Sequence, residues 1–566
     1  MTRLSAPIAK PPFLPRKPVS SARTTQSLIE QSAREMPNTL LLAAVLVLLS
    51  YLYAKLRYKR FKQYASLPQL PPSLLLGHLG AFDEYNRRGP PAQHPDMIFT
   101  AMHAALGRPP LMLVDFRPVT RPMVLVTSHE IAEQIVQPSK LFPNSVPKAS
   151  LKHLVPLLGA TSILTSHDDE WKALRKRFNP GFAPQHLMLL LPNILDKTSA
   201  FIECLDAFAG TSEDFQLVPV IVDLTFDVIG KVVMDVDFDA QKKGDGQGEL
   251  IKLFRELLGC YTDDKADYPW WIIPRLELKR RRLGKRIDGL LKDTIRRKYA
   301  DYARRQQEGE QKSDKSRSIL QLSFQNITAL SPQLLNETAD QLKTFLLAGH
   351  DTTSITLAWV FYELSRTPSA LNAVRAELDG LFGWDAVSPE AVRVQLYSPQ
   401  GPDFLRRMPY ISAVIKEALR LHPAAATARS LPLGSGLTVR TPDGTDHCID
   451  GALIYNCPSI IHRDPTVYGD SANVFRPERW LVAGVNEDSA SGILLSAWRP
   501  FERGPRNCIG QEFATIEARV IIAVVVRQYD FTKVGLGEVA LDEKGLPTLD
   551  NDGQFEVKSH LYTASL

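Results

Sequence analysis

A cysteine near the C-terminus lies in a loop whose residue types suit metal ligation. Cys508 follows Gly504 and Pro505 and precedes Gly510, and a helix-forming run starts at Gln511. Glycines let the backbone approach a flat ligand closely and turn N–H groups toward the sulfur. The positive end of the following helix dipole favours thiolate over thiol. These features favour a thiolate bound axially to haem iron. The alternative is a buried structural cysteine in a Gly/Pro turn.

Two other residues of this loop fit the same interpretation. Arg506 stands two residues before the sulfur and can hold an anionic substituent of a flat ligand. Phe501 lies on one side of the loop. We therefore assign both to the cofactor site.

A second anion-binding pair lies far upstream. Trp171 and Arg175 are four residues apart in a predicted helix, so they share a face and can reach one anion together. An indole N–H and a guanidinium suit a haem propionate. The alternative is a half-buried aromatic residue beside a surface cation.

A long helix is predicted from Ser331, an N-cap followed by proline, to Thr367. Its middle reads Ala-Gly-His-Asp-Thr-Thr, which breaks smooth helix propensity and indicates a functional distortion. The Asp351 carboxylate and the Thr352 hydroxyl in this stretch can relay protons to dioxygen. The alternative is a polar helix kink without chemistry.

Three neighbours of the proton-relay pair have predicted roles of their own. Ala348 and Gly349 are expected to leave room for a ligand above a haem, since both side chains are small. His350 is predicted to be structural.

In chain order, five motifs together resemble one enzyme family, the cytochrome P-450 monooxygenases. They are Trp-x-x-x-Arg, Ala-Gly-x-Asp-Thr-Thr, Glu-x-x-Arg, Pro-Glu-Arg and Phe-x-x-Gly-x-Arg-x-Cys-x-Gly, spread over residues 67 to 560. Residues 178–182 are similar to the version found in fungal secondary-metabolism members.

The resemblance implies a mainly α fold with a small β region, behind one N-terminal transmembrane helix. It implies haem b as cofactor, with Cys508 as the axial ligand, and a cradle for the two propionates formed by Trp171, Arg175, Arg429 and Arg506. It also assigns a structural network that fixes the segment before the cysteine to Glu417, Arg420 and Arg479.

The implied activity is insertion of one oxygen atom from O2 into a small hydrophobic substrate. Electrons are expected from a membrane-bound NADPH-cytochrome P-450 reductase, because the chain has no flavin or dinucleotide fingerprint. Candidate docking cations for it are Lys172, Lys176, Arg177 and Arg503. Two alternatives stay open: an O2-independent haem-thiolate isomerase or dehydratase, and an inactive membrane-tethered scaffold.

Composition narrows the function classes. The 566 residues include five scattered cysteines, which form no disulfide framework and suit a reducing compartment. Residues 1–62 carry 11 Lys/Arg and 2 Asp/Glu, a net charge of +9, whereas the rest carries −4. The globular part is thus slightly acidic, which argues against nucleic acid as a partner.

Four regions are predicted along the chain. They are a disordered tail at 1–38, a transmembrane anchor at 39–56, a basic flank and proline-rich hinge at 57–80, and the haem-thiolate monooxygenase domain at 81–566. Basic residues just after the apolar run predict a single-pass membrane protein with a cytoplasmic catalytic domain, and the resemblance to microsomal family members implies the endoplasmic reticulum membrane. The tail composition also resembles a mitochondrial transit peptide, which is the alternative address.

Two further features concern packing. The apolar runs 111–114 and 123–126 predict a β-hairpin. The aromatic loop 268–274 and the basic run 279–282 suit a membrane interface, with ordinary core packing as the alternative.

Overall fold

The computed structural model describes residues 22–90, 93–211, 213–242, 244–261, 271–308, 317–325, 327–385, 388–481 and 494–559. The chain divides into two units, one up to Ala65 and one from Ser66 onward.

The first unit is one long helix, α1, which spans Ala22–Phe61. Its segment Leu40–Phe61 is long and apolar enough to cross a membrane by length and composition, and this segment includes most of the predicted anchor. Where the sequence predicts disorder through residue 38, the helix already begins at Ala22, because the run Gln-Ser-Leu-Ile-Glu-Gln-Ser-Ala-Arg-Glu contains good helix formers. Residues 1–21 of the predicted tail lie outside the described residues.

The second unit is mainly helical. Its first helices are α2 (Leu79–Arg88), α3 (Pro95–Ala105), α4 (His129–Val136), α5 (Val155–Leu158), α6 (Asp168–Phe178), α7 (Pro184–Leu189), α8 (Leu191–Ala209), α9 (Leu217–Met234), α10 (Glu249–Gly259) and α11 (Pro274–Gln307). Those that follow are α12 (Ile319–Leu322), α13 (Pro332–Arg366), α14 (Pro368–Phe382), α15 (Pro389–Tyr397), α16 (Gly401–Arg406), α17 (Pro409–Leu421), α18 (Pro458–Ile461), α19 (Pro465–Tyr468) and α20 (Gln511–Val525).

A small sheet accompanies the helices, in strand order β1-β2-β6-β3. The predicted hairpin is confirmed, since β1 (Leu111–Asp115) and β2 (Pro122–Val126) pair antiparallel. Strand β6 (Leu453–Asn456) pairs parallel with β2 and antiparallel with β3 (Thr427–Ser430). A separate two-stranded ribbon consists of β4 (Thr438–Arg440) and β5 (Asp446–Cys448).

The long helix α13 is confirmed close to its predicted ends. The Ser331 hydroxyl accepts a hydrogen bond from the Leu334 amide at 3.1 Å, which is the N-cap expected there. Most of the helix is buried, and it packs against α9, α11, α17 and α20. It therefore connects the packing of the helical core with the helix that follows the cysteine.

The proline-rich stretch belongs to the second unit. Leu67 is buried, and the Leu113 amide of β1 donates to the Pro68 carbonyl at 2.8 Å. The sequence assigns this stretch to a hinge, but its leucines alternate with prolines and one of them enters the core. The part of the predicted hinge after Ala65 is thus fixed to the sheet.

One carboxyl group in α20 is buried without hydrogen bonds from the described residues. Both carboxylate oxygens of Glu517 are buried and have no hydrogen-bond partner among the described residues. Burial raises the pKa of Glu517 well above its usual value. The folded protein therefore holds a proton that the unfolded chain releases above about pH 4.3.

This proton gives a pH-dependent stability. The contribution of Glu517 is fully present below the unfolded pKa and is lost as the pH rises toward the raised folded pKa, at about 1.4 kcal/mol per pH unit. We expect the melting temperature to fall more steeply between about pH 5 and pH 8 in the wild type than in Glu517→Gln. Glu512→Gln, on the same helix, should keep the wild-type slope. Equal slopes in the wild type and Glu517→Gln would contradict the assignment.

Candidate active site

The cysteine loop, residues 501–510, folds back on itself immediately before α20. The Cys508 amide donates to the Phe501 carbonyl at 2.9 Å, which closes the loop around the sulfur. Gly504 has φ +76°, and a Cβ there would lie 2.3 Å from the Val136 carbonyl oxygen, so no other residue fits. The side chain of Cys508 is accessible although protein surrounds it, so it lies in a recess.

Opposing effects act on the Cys508 thiol. Burial raises its pKa, while the amides of Gly510 and Gln511 and the cations of Lys148 and Arg175 act in the opposite direction. Burial prevails in the protein alone, so the helix start does not by itself make a thiolate. A bound metal ion removes the thiol proton.

Two arginines near the recess have buried nitrogen atoms without partners in the described part of the chain. The unpartnered atoms are Nε and Nη2 of Arg429 and Nε of Arg506. Arg429 uses only Nη1, which donates to Ser145 at 3.1 Å and to the Val146 carbonyl at 2.9 Å. Burial lowers the pKa of each guanidinium to about 10, and the two charges repel each other. Unpaired buried cations of this kind fit the propionates of a haem.

The predicted pair, Trp171 and Arg175, lies beside the same loop, but its two members contact different residues. Arg506 lies over the Trp171 ring at 5.1 Å from its centroid. Arg175 donates to the Asn507 carbonyl at 2.8 Å and to its side chain at 2.9 Å. In this structure Arg175 is therefore bound to the cysteine loop itself.

Lys148 joins this group, although no motif in the sequence marks it. Its backbone forms an isolated β-bridge with Arg429. Burial and the cations of Arg429 and Arg506 lower its pKa to about 7, against the opposite effect of Cys508. We name Lys148, Arg175, Arg429 and Arg506 the cation cluster.

The predicted Glu417 network is present, with the Glu417 and Arg420 side chains fully buried and Arg479 nearly so. Arg420 binds Glu417 in bidentate fashion at 2.9 and 2.7 Å, and Arg479 adds a bond at 2.9 Å. Trp480 Nε1 also donates to Glu417 at 2.9 Å. Arg420 further donates to the Val474 carbonyl at 3.0 Å, which ties α17 to the segment before the cysteine loop.

His462 connects this network to the start of the cysteine loop, and sequence reasoning did not identify it. Its Nε2 accepts from the Arg499 amide at 3.0 Å, so its Nδ1 carries the hydrogen that reaches the Arg420 carbonyl at 3.1 Å. Burial and the cations of Arg420 and Arg499 lower the pKa of His462 to about 3, which keeps the ring neutral.

The two proton-relay candidates lie on the open side of α13. The Thr352 hydroxyl donates to the Ala348 carbonyl at 2.7 Å, and both Asp351 and Ala348 are exposed in this otherwise buried helix. Burial by neighbouring protein still raises the pKa of Asp351. A carboxyl group with a raised pKa suits proton delivery better than an ordinary one.

The prediction for Gly349 is wrong. A Cβ at this position would lie 2.5 Å from the Ile229 side chain of α9, so the glycine permits close packing of two helices. His350 is structural as predicted. Its buried ring packs on Phe226, with the ring centroids 4.2 Å apart, and its Nδ1 lies 2.6 Å from the Leu346 carbonyl oxygen.

The predicted docking cations differ in their surroundings. Lys172 and Lys176 are exposed, whereas Arg503 is half-buried and binds Glu133 at 3.1 Å. Arg177 is turned inward: it donates to Thr338 at 2.6 Å, and its Nη1 is buried without a partner in the described chain. The prediction is therefore corrected for Arg177, because burial removes it from the docking face.

Within the basic run 279–282, Arg280 is buried and the other three residues are exposed. Arg280 is buried and donates to the Cys260 carbonyl at 2.7 Å, and Lys279 and Arg281 bind glutamates at 2.9 and 2.7 Å. Residues 262–270, with part of the aromatic loop, lie outside the described residues.

Comparison with known proteins decides the family. The cytochrome P-450 family model matches residues 68–554. The chain belongs to the cytochrome P-450 family. It is 32% identical over 464 residues to cytochrome P-450 monooxygenase acrF of Aspergillus aculeatus, covering 78% of this chain and 89% of that protein. It is 28% identical over 500 residues to cytochrome P-450 monooxygenase polC of Polytolypa hystricis, covering 86% and 85%. It is 25% identical over 418 residues to a bifunctional cytochrome P-450/NADPH–P-450 reductase of Alternaria alternata, covering 72% and 34%.

Family membership confirms the predicted fold and enzyme class. This cytochrome P-450 is an oxidoreductase that incorporates oxygen and uses haem iron held by a cysteine thiolate. Membership of this family also implies a substrate, dioxygen and a redox partner.

Proposed function

We propose that this cytochrome P-450 inserts one oxygen atom from O2 into a small hydrophobic substrate in fungal secondary metabolism, and that the Cys508 thiolate would hold the iron of haem b. The observation that supports the ligand assignment is the cation cluster around the Cys508 recess, with buried guanidinium nitrogens that lack partners in the described chain. The fungal relatives acrF and polC support the metabolic setting.

Each residue of the site has a distinct task. Bound haem supplies the iron at which dioxygen is activated. Arg429 and Arg506, with Trp171 and Arg175 nearby, would hold the propionates, and Phe501, whose carbonyl accepts from the Cys508 amide, would complete the cofactor site. Burial raises the pKa of Asp351, so its carboxyl group takes up a proton more readily than an exposed one, and Thr352 would pass a proton toward dioxygen.

Partners and location follow from the remaining features. We assign the electron supply to an NADPH-cytochrome P-450 reductase, because one relative is named as a bifunctional cytochrome P-450/NADPH–P-450 reductase. We assign the chain to the endoplasmic reticulum membrane, with residues 57–566 in the cytoplasm. The positive charges that follow the apolar run support this orientation: Lys55, Arg57, Lys59, Arg60 and Lys62.

The proposal is tested by reconstitution with a reductase and a spectral screen of hydrophobic metabolites. A metabolite that shifts the haem spectrum should be converted only when both O2 and NADPH are present. Turnover without either would support the isomerase or dehydratase alternative. A protein that binds no haem at all would support the scaffold alternative.

Thr352→Ala should separate proton delivery from haem binding. Without the hydroxyl, we expect product formation to fall about 100-fold, the range typical of lost acid–base assistance. The ratio of product to NADPH consumed should fall too, while the carbon monoxide spectrum stays unchanged. Thr356→Ala is the matched control, because this hydroxyl likewise bonds a carbonyl four residues earlier, at 2.8 Å. A Thr352→Ala enzyme with wild-type coupling would contradict the assignment.

A further inference from the structure

Loop 158–166 is attached to α13 by polar side chains. Gln341 accepts from the Ile163 amide at 2.8 Å and donates to the Thr161 carbonyl at 2.6 Å. Asp340 accepts from the Thr161 amide at 3.0 Å and from its hydroxyl at 2.9 Å. Gln341 is fully buried, so its amide specifies one position of the loop.

The same loop holds one arginine of the cation cluster. Arg506 donates through Nη2 to the Ser166 carbonyl at 2.7 Å and to the Ile163 carbonyl at 3.3 Å. Ile163 is therefore held at its amide by Gln341 and at its carbonyl by Arg506. The edge of Arg506 that carries the unpartnered Nε is thereby fixed in direction.

Packing alone does not explain this placement of the loop. A cleft of about 660 Å³ lies against it, lined by Thr161 and Ser166 together with residues of α6 and the first turns of α13. At the start of the loop, Gly159 has φ +83°, and the Asp340 carboxyl group occupies the space that a Cβ would need. Hydrogen bonds to Asp340 and Gln341 therefore hold the loop in place, together with Thr344, whose hydroxyl lies 2.7 Å from that of Ser162.

We propose that Gln341, assisted by Asp340, is a positioning residue for the haem: through loop 158–166 it aims Arg506 at a propionate and so retains the cofactor. This inference rests on the proposed haem site. Gln341 itself acts only through the two backbone groups it holds and the arginine beyond them.

The experiment measures haem transfer from the full-length holoenzyme to excess apomyoglobin. We expect Gln341→Leu to release haem about tenfold faster than wild type. The reason is that a misdirected Arg506 loses part of its bond to the propionate, and hydrogen bonds to a charged group are the stronger kind. Gln554→Leu is the matched control. Gln554 is also buried and makes two side-chain bonds, to Arg366 and Thr367, each at 3.0 Å, but none to the loop. Haem release as slow in Gln341→Leu as in Gln554→Leu would overturn the proposal.

A double-mutant cycle shows whether the effect runs through Arg506. In an Arg506→Ala background, Gln341→Leu should add less than about twofold to the release rate, because coupled residues are not additive. Independent, multiplying effects would overturn the proposal. Should Gln341→Leu fail to fold, the surface change Thr161→Val should speed release by about threefold through the lost bond to Asp340. Unchanged release there would overturn it too.

Failure of the haem site itself is distinguishable. In that case the wild-type protein would hold no transferable haem, and no variant would need to be compared.

Discussion

Replacing Cys508 with alanine should abolish the absorption band at about 450 nm that the reduced, carbon monoxide-bound wild type is expected to show. The thiolate is the only strong electron donor that the cysteine loop offers to iron. Without it, bound haem has no sulfur ligand and oxygen activation stops. Product formation should therefore fall to background, which makes this the largest effect on activity that we expect.

The comparison needs a cysteine of similar accessibility. Cys448 lies exposed on β5, so Cys448→Ala should keep both the band and the activity. Haem content can be measured independently as the pyridine haemochrome, which does not depend on the axial ligand. A Cys508→Ala protein that retained the band would refute the ligand assignment.

The sequence predicted those parts of the site that short-range chemistry determines. The Glu417–Arg420 pair lies three residues apart on one helix, and the cysteine loop is a run of glycines and a proline around one sulfur. Local spacing brings such groups together, and the family resemblance assigned the Glu417 network its structural role. The ends of α13 were predictable for the same reason, because an N-cap serine and two prolines mark them.

Long-range contacts were not predictable in this way. Lys148 reaches the site because its backbone pairs with Arg429, and His462 because its ring lies between Arg420 and Arg499. Nothing in the neighbouring sequence marks either residue. Gly349 was misassigned since a small residue on a helix can face a ligand or another helix, and only the α9 crossing decides between them.

Charge was also a poor guide to exposure. Arg177 and Arg280 stand in basic runs that look solvated, yet each guanidinium bonds a buried backbone or hydroxyl oxygen. A long side chain can turn inward from a helix whose backbone lies at the surface, and sequence periodicity does not record that turn.

Glu417→Ala should have the largest effect on stability. The carboxylate and the Arg420 side chain are fully buried, and Arg479 is nearly so. Removing the carboxylate leaves two guanidinium groups without their common counter-charge, which costs about 3–5 kcal/mol of unfolding free energy. It also frees Trp480 and the Arg476 amide, which donates to the same carboxylate at 2.9 Å. We expect little soluble holoprotein and a much lower melting temperature.

Glu390→Ala provides a matched control for this prediction. Glu390 and Arg393 form an ion pair with the same three-residue spacing, but the Glu390 side chain is 68% exposed. Exposed pairs contribute about 0–1 kcal/mol, so this variant should melt close to wild type. Similar losses in the two variants would mean that spacing alone sets the effect. A large loss only in Glu417→Ala would show that burial and the shared counter-charge set the effect. His462 also links the Arg420 carbonyl to the Arg499 amide, just before the cysteine loop. Haem content should then fall together with stability.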